Sequence, residues 1–341
     1  MSSNKIEANG WCLSSCFVQG KGHIKTHIPC QDRTKAIYSN GTYVIALSDG
    51  AGSAKLSHFG ASCVVESICT LLTNQFNELF ANKDGCFVKQ LMIKKVLADI
   101  KLQAAELGCE VKDLAATMLA VAINEGRFII AHVGDGVIGY LDNGTLKTAS
   151  APSNGEHANE TYFVTSQDAI SAMKLFKGSI KDIAGFVLMS DGTEQSLYNK
   201  RTNSLSPAIV KLMQRNIVLD HEAMEQQLDA SFKKVIIANT QDDCSIAIIS
   251  CEKGILHSFC TCSIREKSEL YGIRNCERAS AKRTKRYDKI LDLLQKPATC
   301  RSLAKKLYLK PLYAKRHLRK LCEAGLVQKE NGFYHSFIQL C

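Results

Sequence analysis

Three times in this chain a run of aliphatic and β-branched residues stops at Asp-Gly: Val44 to Ser48 before Asp49-Gly50, Ala131 to Gly134 before Asp135-Gly136, and Phe186 to Ser190 before Asp191-Gly192. A buried strand that ends this way delivers a carboxylate to a sheet edge, with glycine permitting the sharp exit. Two more acidic turns, Gln31-Asp32 and Gln241-Asp242-Asp243, border apolar runs near the two ends of the same region. Asp-Gly alone is an ordinary turn signal. The polar hairpin at Asn143-Gly144 shows what such a turn looks like here when the flanking strands are not buried. The apolar runs before Asp49, Asp135 and Asp191 therefore predict that these turns converge on one site. Clustered carboxylates repel and need cations. Oxygen ligands without a companion His/Cys pattern select hard ions, Mg²⁺ or Mn²⁺. Two such ions activate a water and hold a phosphate oxygen, which suits direct hydrolysis of a phosphate monoester. A Cys-x5-Arg pattern for a cysteine nucleophile is absent.

Charge divides the chain. From residue 253 onward there are 20 Lys/Arg against 7 Asp/Glu; before it there are 23 against 26. A near-neutral body followed by a strongly basic tail predicts two domains with different partners. No uncharged apolar run reaches about 18 residues, so no membrane span is expected. The first residues lack the apolar stretch of a secretory signal, which predicts a cytoplasmic protein. The 15 scattered cysteines read as free thiols packed as small hydrophobes. The alternative is a zinc site from Cys251, Cys260, Cys262 and Cys276.

In order, strands are predicted at 11–18, 35–39, 42–47, 116–123, 127–133, 137–141, 145–149, 161–165, 185–190 and 244–251. Helices are predicted at 53–80 (capped by Ser53), 87–107, 205–216 and 221–238. Strands and helices come in blocks, which argues for α+β architecture with antiparallel sheets and helices packed outside. Residues 1–252 form the first domain, 253–284 a basic linker, and 285–341 a second domain. In the second domain, helices at 287–295, 299–307 and 311–324 precede a β-hairpin. Three helices and a hairpin describe a winged helix-turn-helix.

Cys30-Gln-Asp-Arg33, Leu47-Ser-Asp-Gly-Ala-Gly-Ser53, Ala115-Ala-Thr-Met118, Val133-Gly-Asp-Gly136, Met189-Ser-Asp-Gly-Thr-Glu194 and Gln241-Asp-Asp-Cys-Ser-Ile-Ala-Ile-Ile249 follow one another in a familiar order. Residues 10–251 resemble the metal-dependent protein phosphatase 2C family, particularly its compact bacterial branch. The resemblance implies a four-layer α-β-β-α sandwich of two antiparallel sheets. It also implies hydrolysis of phosphoserine and phosphothreonine in a phosphoprotein substrate by a metal-bound water. By position, Asp49 would bridge two ions and the Gly50 carbonyl would ligate one. Asp191 and Asp242 would hold one ion and Asp32 the other, with Asp135 contributing to a third. Thr117 matches a structural Thr.

Four positions depart from the family pattern. Gln31 stands for a Glu, His27 for the phosphate-binding Arg, Ala51 for a His that follows Asp-Gly, and Gln195 for a further Asp. His23, His27 and Arg33 are the candidates for gripping the phosphate; the two histidines are otherwise solvated loop residues. A rival reading is a catalytically weak, phosphatase-like sensor acting through its tail. There Lys315, Arg316, Arg319 and Lys320 on one helix would meet DNA phosphates or a protein partner.

Overall fold

A computed structural model describes residues 10–152, 161–219, 221–236, 240–251, 262–273, 277–324, 326–330 and 332–336. Two five-stranded antiparallel sheets carry the body. One is ordered β1 (Trp11–Val18), β12 (Cys244–Cys251), β9 (Ile183–Met189), β6 (Val137–Asp142), β7 (Thr145–Ser150). The other is ordered β2 (Arg33–Ser39), β3 (Thr42–Ser48), β4 (Met118–Asn124), β5 (Arg127–Val133), β8 (Lys174–Ser179).

Period-two alternation sorts the strand residues between cores. Val44 and Ala46 of β3 pack with Ile68, Leu72, Met92 and Val96 of helices α2 (Ser57–Ala81) and α3 (Gly85–Leu107). Ile45 and Leu47, between them in sequence, join Leu13, Leu119, Phe186, Leu188 and Ile249 in a core that draws on both sheets. Val187, Met189, Ile246 and Ile248 face a third core. There Met213 and Ile217 of α6 (Ala208–Val218) and Met224 and Leu228 of α7 (His221–Ser231) cover them. Central strands β3 and β4 are buried along their whole length, which is why their sequences read as continuous apolar runs. The site is built at the ends of such strands.

Several elements differ from expectation. Ser53 does not cap α2; Leu56 occupies that position with no side-chain cap, and Ser57 is the first helical residue. The strand expected at 161–165 is absent, because Val164 N–H donates to the Ala116 carbonyl and Phe163 N–H to the Ser166 hydroxyl within a turn. Edge strand β8, with two lysines and a glycine, carries too little apolar alternation to stand out. Residues 253–284, expected as a linker, include α8 (Ile264–Leu270) and the start of α9 (Glu277–Leu293). The Lys/Arg-rich run 282–286 masks the helical period there, while buried Tyr271 packs against Tyr287 with the rings tilted and their centroids 5.3 Å apart. Helix α9 is followed by β13 (Ala298–Thr299), α10 (Cys300–Lys306), α11 (Pro311–Glu323), β14 (Val327–Glu330) and β15 (Phe333–Ser336), the three strands forming one sheet ordered β13, β15, β14. Ile290, Leu294, Leu303, Leu318, Leu321 and Tyr334 form its core. Thr299 caps α10 by accepting from Ser302 N–H at 3.2 Å, as the sequence suggested. Cys260, Cys276, Gly325 and Asn331 lie outside the described residues, and the described cysteines are free thiols. Among the described residues no helix is long and apolar enough to cross a membrane.

Candidate metal centre

Each acidic turn is fixed by main-chain contacts that its neighbours supply. Asp49 ends β3. Its N–H donates to the Thr117 hydroxyl at 2.9 Å and its carbonyl accepts from Thr117 N–H at 2.8 Å. Asp135 follows β5 through Gly134, whose φ of 120° and closeness to Thr117 (2.6 Å from any added Cβ) exclude a side chain. Asp191 follows β9 and opens α5 (Asp191–Leu197). Ser190 ties that turn to the start of β12, its N–H donating to the Ser245 carbonyl and its hydroxyl accepting from Ser245 N–H. Asp242 lies just before β12, and Asp32 just before β2.

The five carboxylates feel one another. Burial pushes the Asp49 carboxyl well above its ordinary range, and the charges of Asp32, Asp191, Asp135 and Asp242 push it further. Burial also raises Asp32 to about 8, with Asp243 and Asp191 adding to the rise. Asp191 is raised to about 6 by burial and by the charges of Asp242 and Asp135. Both Asp32 oxygens and Asp191 Oδ1 are buried without a hydrogen-bond partner. The Ser190 and Ser245 hydroxyls lie close enough to Asp32 to favour its charged form, but neither is aligned as a hydrogen bond. Buried, unpartnered carboxylate oxygens are costly unless a proton or cation completes them.

This donor set fits a hard divalent cation in chemistry. Among the described residues no three acidic, imidazole or thiol groups already enclose a single point. Any ion held here would complete its shell with main-chain oxygen and water, as Mg²⁺ in particular does.

Other candidates go elsewhere. Arg33 donates to the Cys30 and Asp32 carbonyls, both at 2.7 Å, and lies over the Phe17 ring at 5.1 Å. His27 is exposed at the left-handed C-terminal cap of α1 (Lys21–Thr26), with φ 57°. His23 Nδ1 lies 2.9 Å from Asp243 Oδ2, within ion-pair reach although not aligned as a hydrogen bond. Gln31 donates through its side chain to the Ser57 hydroxyl at 2.7 Å.

Sequence reasoning passed over Asp243. It is buried and accepts from Gly20 N–H at 2.7 Å and Gln31 N–H at 2.6 Å, closing the loop that carries Asp32 onto the turn that carries Asp242. The doublet was itself the signal: adjacent residues entering a strand point to opposite faces, so two acids in a row need two environments.

Against known proteins, the family model described as Protein phosphatase 2C matches residues 19–233. Serine/threonine-protein phosphatase 3 of Escherichia coli (strain K12) is 27% identical over 209 residues, covering 57% of this chain and 78% of that protein. A bacterial serine phosphatase, solved as a point mutant, superposes with a TM-score of 0.50 at 14% identity, over 70% of this chain and 97% of the other. The catalytic domain of the phosphatase PstP, solved with 2 manganese ions, gives 0.47 at 14% identity over 70% and 98%. The chain belongs to the protein phosphatase 2C family. Its activity is that of a serine/threonine protein phosphatase.

Proposed function

We propose that Asp32, Asp49, Asp191, Asp242 and the Gly50 carbonyl would hold two ions of Mn²⁺ or Mg²⁺, with Asp135 contributing to a third. The observation that carries this reading is the set of buried Asp32 and Asp191 oxygens that have no partner beside the strongly perturbed Asp49. When bound, such ions lower the pKa of water and neutralise charge on phosphoryl oxygens. The chain's own part is to hold the carboxylates against their repulsion. Thr117, Ser190 and Asp243 do so through main-chain contacts, so no reorganisation is needed when a phosphoprotein's phosphoserine or phosphothreonine arrives.

Three cores, two of them under helices and one shared by both sheets, support a four-layer α-β-β-α sandwich for the body. The test is hydrolysis of p-nitrophenyl phosphate and a phosphothreonine peptide with Mn²⁺, Mg²⁺ or chelator. Activity that depends on the divalent ion and disappears in Asp49→Asn and Asp191→Asn is expected. Turnover unaffected by chelation would overturn the metal assignment.

A second reading concerns the tail. Its helices and small sheet support a winged helix-turn-helix beginning upstream of residue 285. Lys315, Arg316 and Arg319 line an ≈820 Å³ groove together with Leu312, Tyr313 and Tyr334. Lys320 is exposed on the same helix but outside that lining. Exposed apolar side chains among cations favour a protein partner over a DNA backbone, which asks for charge alone. Duplex DNA binding that weakens steeply with salt would reverse that preference. The free thiols agree with a cytoplasmic setting.

A further inference from the structure

The carboxylate cluster has to receive a substrate that is itself a dianion. His27 is exposed at a helix cap and Arg33 is committed to two carbonyls and a ring. A different cation is tied to the helix that Asp191 opens. Lys200 lies in the turn between β10 (Tyr198–Asn199) and β11 (Ser204–Leu205), directly after α5. That turn is organised. Asn199 Oδ1 accepts from Arg201 N–H at 3.0 Å and Thr202 N–H at 3.2 Å, and the Tyr198 hydroxyl donates to Asn203 Oδ1 at 2.8 Å.

Lys200 Nζ sits 2.5 Å from Glu194 Oε1. Glu194 is one helical turn after Asp191 and its side chain is 2% exposed, whereas that of Lys200 is 64% exposed. Glu194 Oε2 is buried without a partner. A carboxylate this far from water needs a cation, and Lys200 supplies it from the open side. The contact with Glu194 raises the Lys200 pKa, and the charges of Asp191 and Asp135 add to the rise. One N–H is spent on Glu194; two remain for a ligand.

We infer that Lys200 is the phosphate-contacting cation of this site, donating to a phosphoryl oxygen of the phosphoserine or phosphothreonine, with Glu194 as its positioning residue. This rests on the phosphatase reading above. The ammonium is held one helical turn from Asp191 by a buried acid and stays accessible, as a group that meets a transient dianion must. Beside it an open cleft of ≈600 Å³, lined by Gln195, Tyr198 and Pro207 among others, leaves room for the residues that flank the phosphate.

The experiment uses the full-length, Mn²⁺-loaded protein with Lys200→Met, Lys200→Arg and Glu194→Gln. Lys200→Met should raise KM for p-nitrophenyl phosphate about tenfold or more with kcat changed less than about threefold, the scale of one charge-assisted hydrogen bond. Inhibition by inorganic phosphate should weaken by the same factor. Lys200→Arg should recover most of the loss, and Glu194→Gln should fall between wild type and Lys200→Met. Calorimetric titration of inorganic phosphate reads the same loss without turnover. Unchanged phosphate affinity in Lys200→Met would overturn the proposal. So would an increased Mn²⁺ requirement at unchanged phosphate affinity, which would make Lys200 a counter-ion only. A wild-type protein inactive with every divalent ion would sink the phosphatase reading instead, and the calorimetric arm would still decide Lys200.

Discussion

Asp49 and Asp191 feel each other's charge inside the cluster, and buried carboxylates that near one another stay together only with a proton or a cation between them. Replacing Asp49 by Asn removes one of those charges. It should lower kcat by more than about a hundredfold, beyond what loss of an outer-shell contact costs. Mn²⁺ affinity measured by titration should fall with it. Asp243 acts differently, through main-chain donors rather than ions. Asp243→Ala leaves Gly20 and Gln31 N–H groups buried without acceptors and should cost about 2–4 kcal/mol in urea unfolding. His132 gives a pH signature. Burial, then the charge of Lys174, lowers it from 6.5 to about 3, and its Nδ1 contacts the Ser150 hydroxyl at 2.7 Å. Below pH 6.5 the unfolded chain takes up a proton that the folded one refuses. This contribution to stability is therefore complete above 6.5 and is lost as pH falls toward 3. His132→Leu should be about 1 kcal/mol less stable at pH 7.5, with Ser150 unpaired. Its unfolding temperature should fall less steeply than wild type between pH 7 and 5.

Among the elements, the loop from Gln19 to Asp32 is the most tightly specified. Gly20 approaches Asp242 so closely that an added Cβ would lie 2.3 Å from its main-chain carbon and oxygen. Gly20→Ala therefore has to move the Asp242 turn. We expect a loss of about a hundredfold in kcat/KM, the scale of a misplacement of about 1 Å, with a smaller change in Gly85→Ala, where an added Cβ meets nothing within 4 Å. How well each element could be read from sequence followed its burial. The strands before Asp49 and Asp191 were legible because both faces are covered and their central residues are apolar. Edge strand β8 and the first turns of α9 were not, because their charged residues dilute the period. Asp32, Asp49, Asp135, Asp191 and Asp242 came together because their turns share one architectural reason. Lys200 and Glu194 stayed hidden because their pairing depends on a hairpin whose strands are two residues each. Arg33 misled because its side chain had two nearby carbonyls to satisfy.

At the scale of the molecule, Asp32, Asp49 and Asp135 belong to the ends of one sheet and Asp191 and Asp242 to the ends of the other. Ions that bind only the folded body stabilise it by mass action, about 2.7 kcal/mol at a hundred times Kd. Added Mn²⁺ should raise the unfolding temperature of wild type and leave that of Asp49→Asn nearly unchanged in a calorimetric scan. Without ions, the carboxylates at the seam between the sheets have to take up protons or repel one another. A cell's supply of manganese or magnesium would then set how long this protein survives a protease as well as how fast it turns over. Starvation for the ion would remove the enzyme from the cell's inventory, and its substrates would keep their phosphates long after the ion returned.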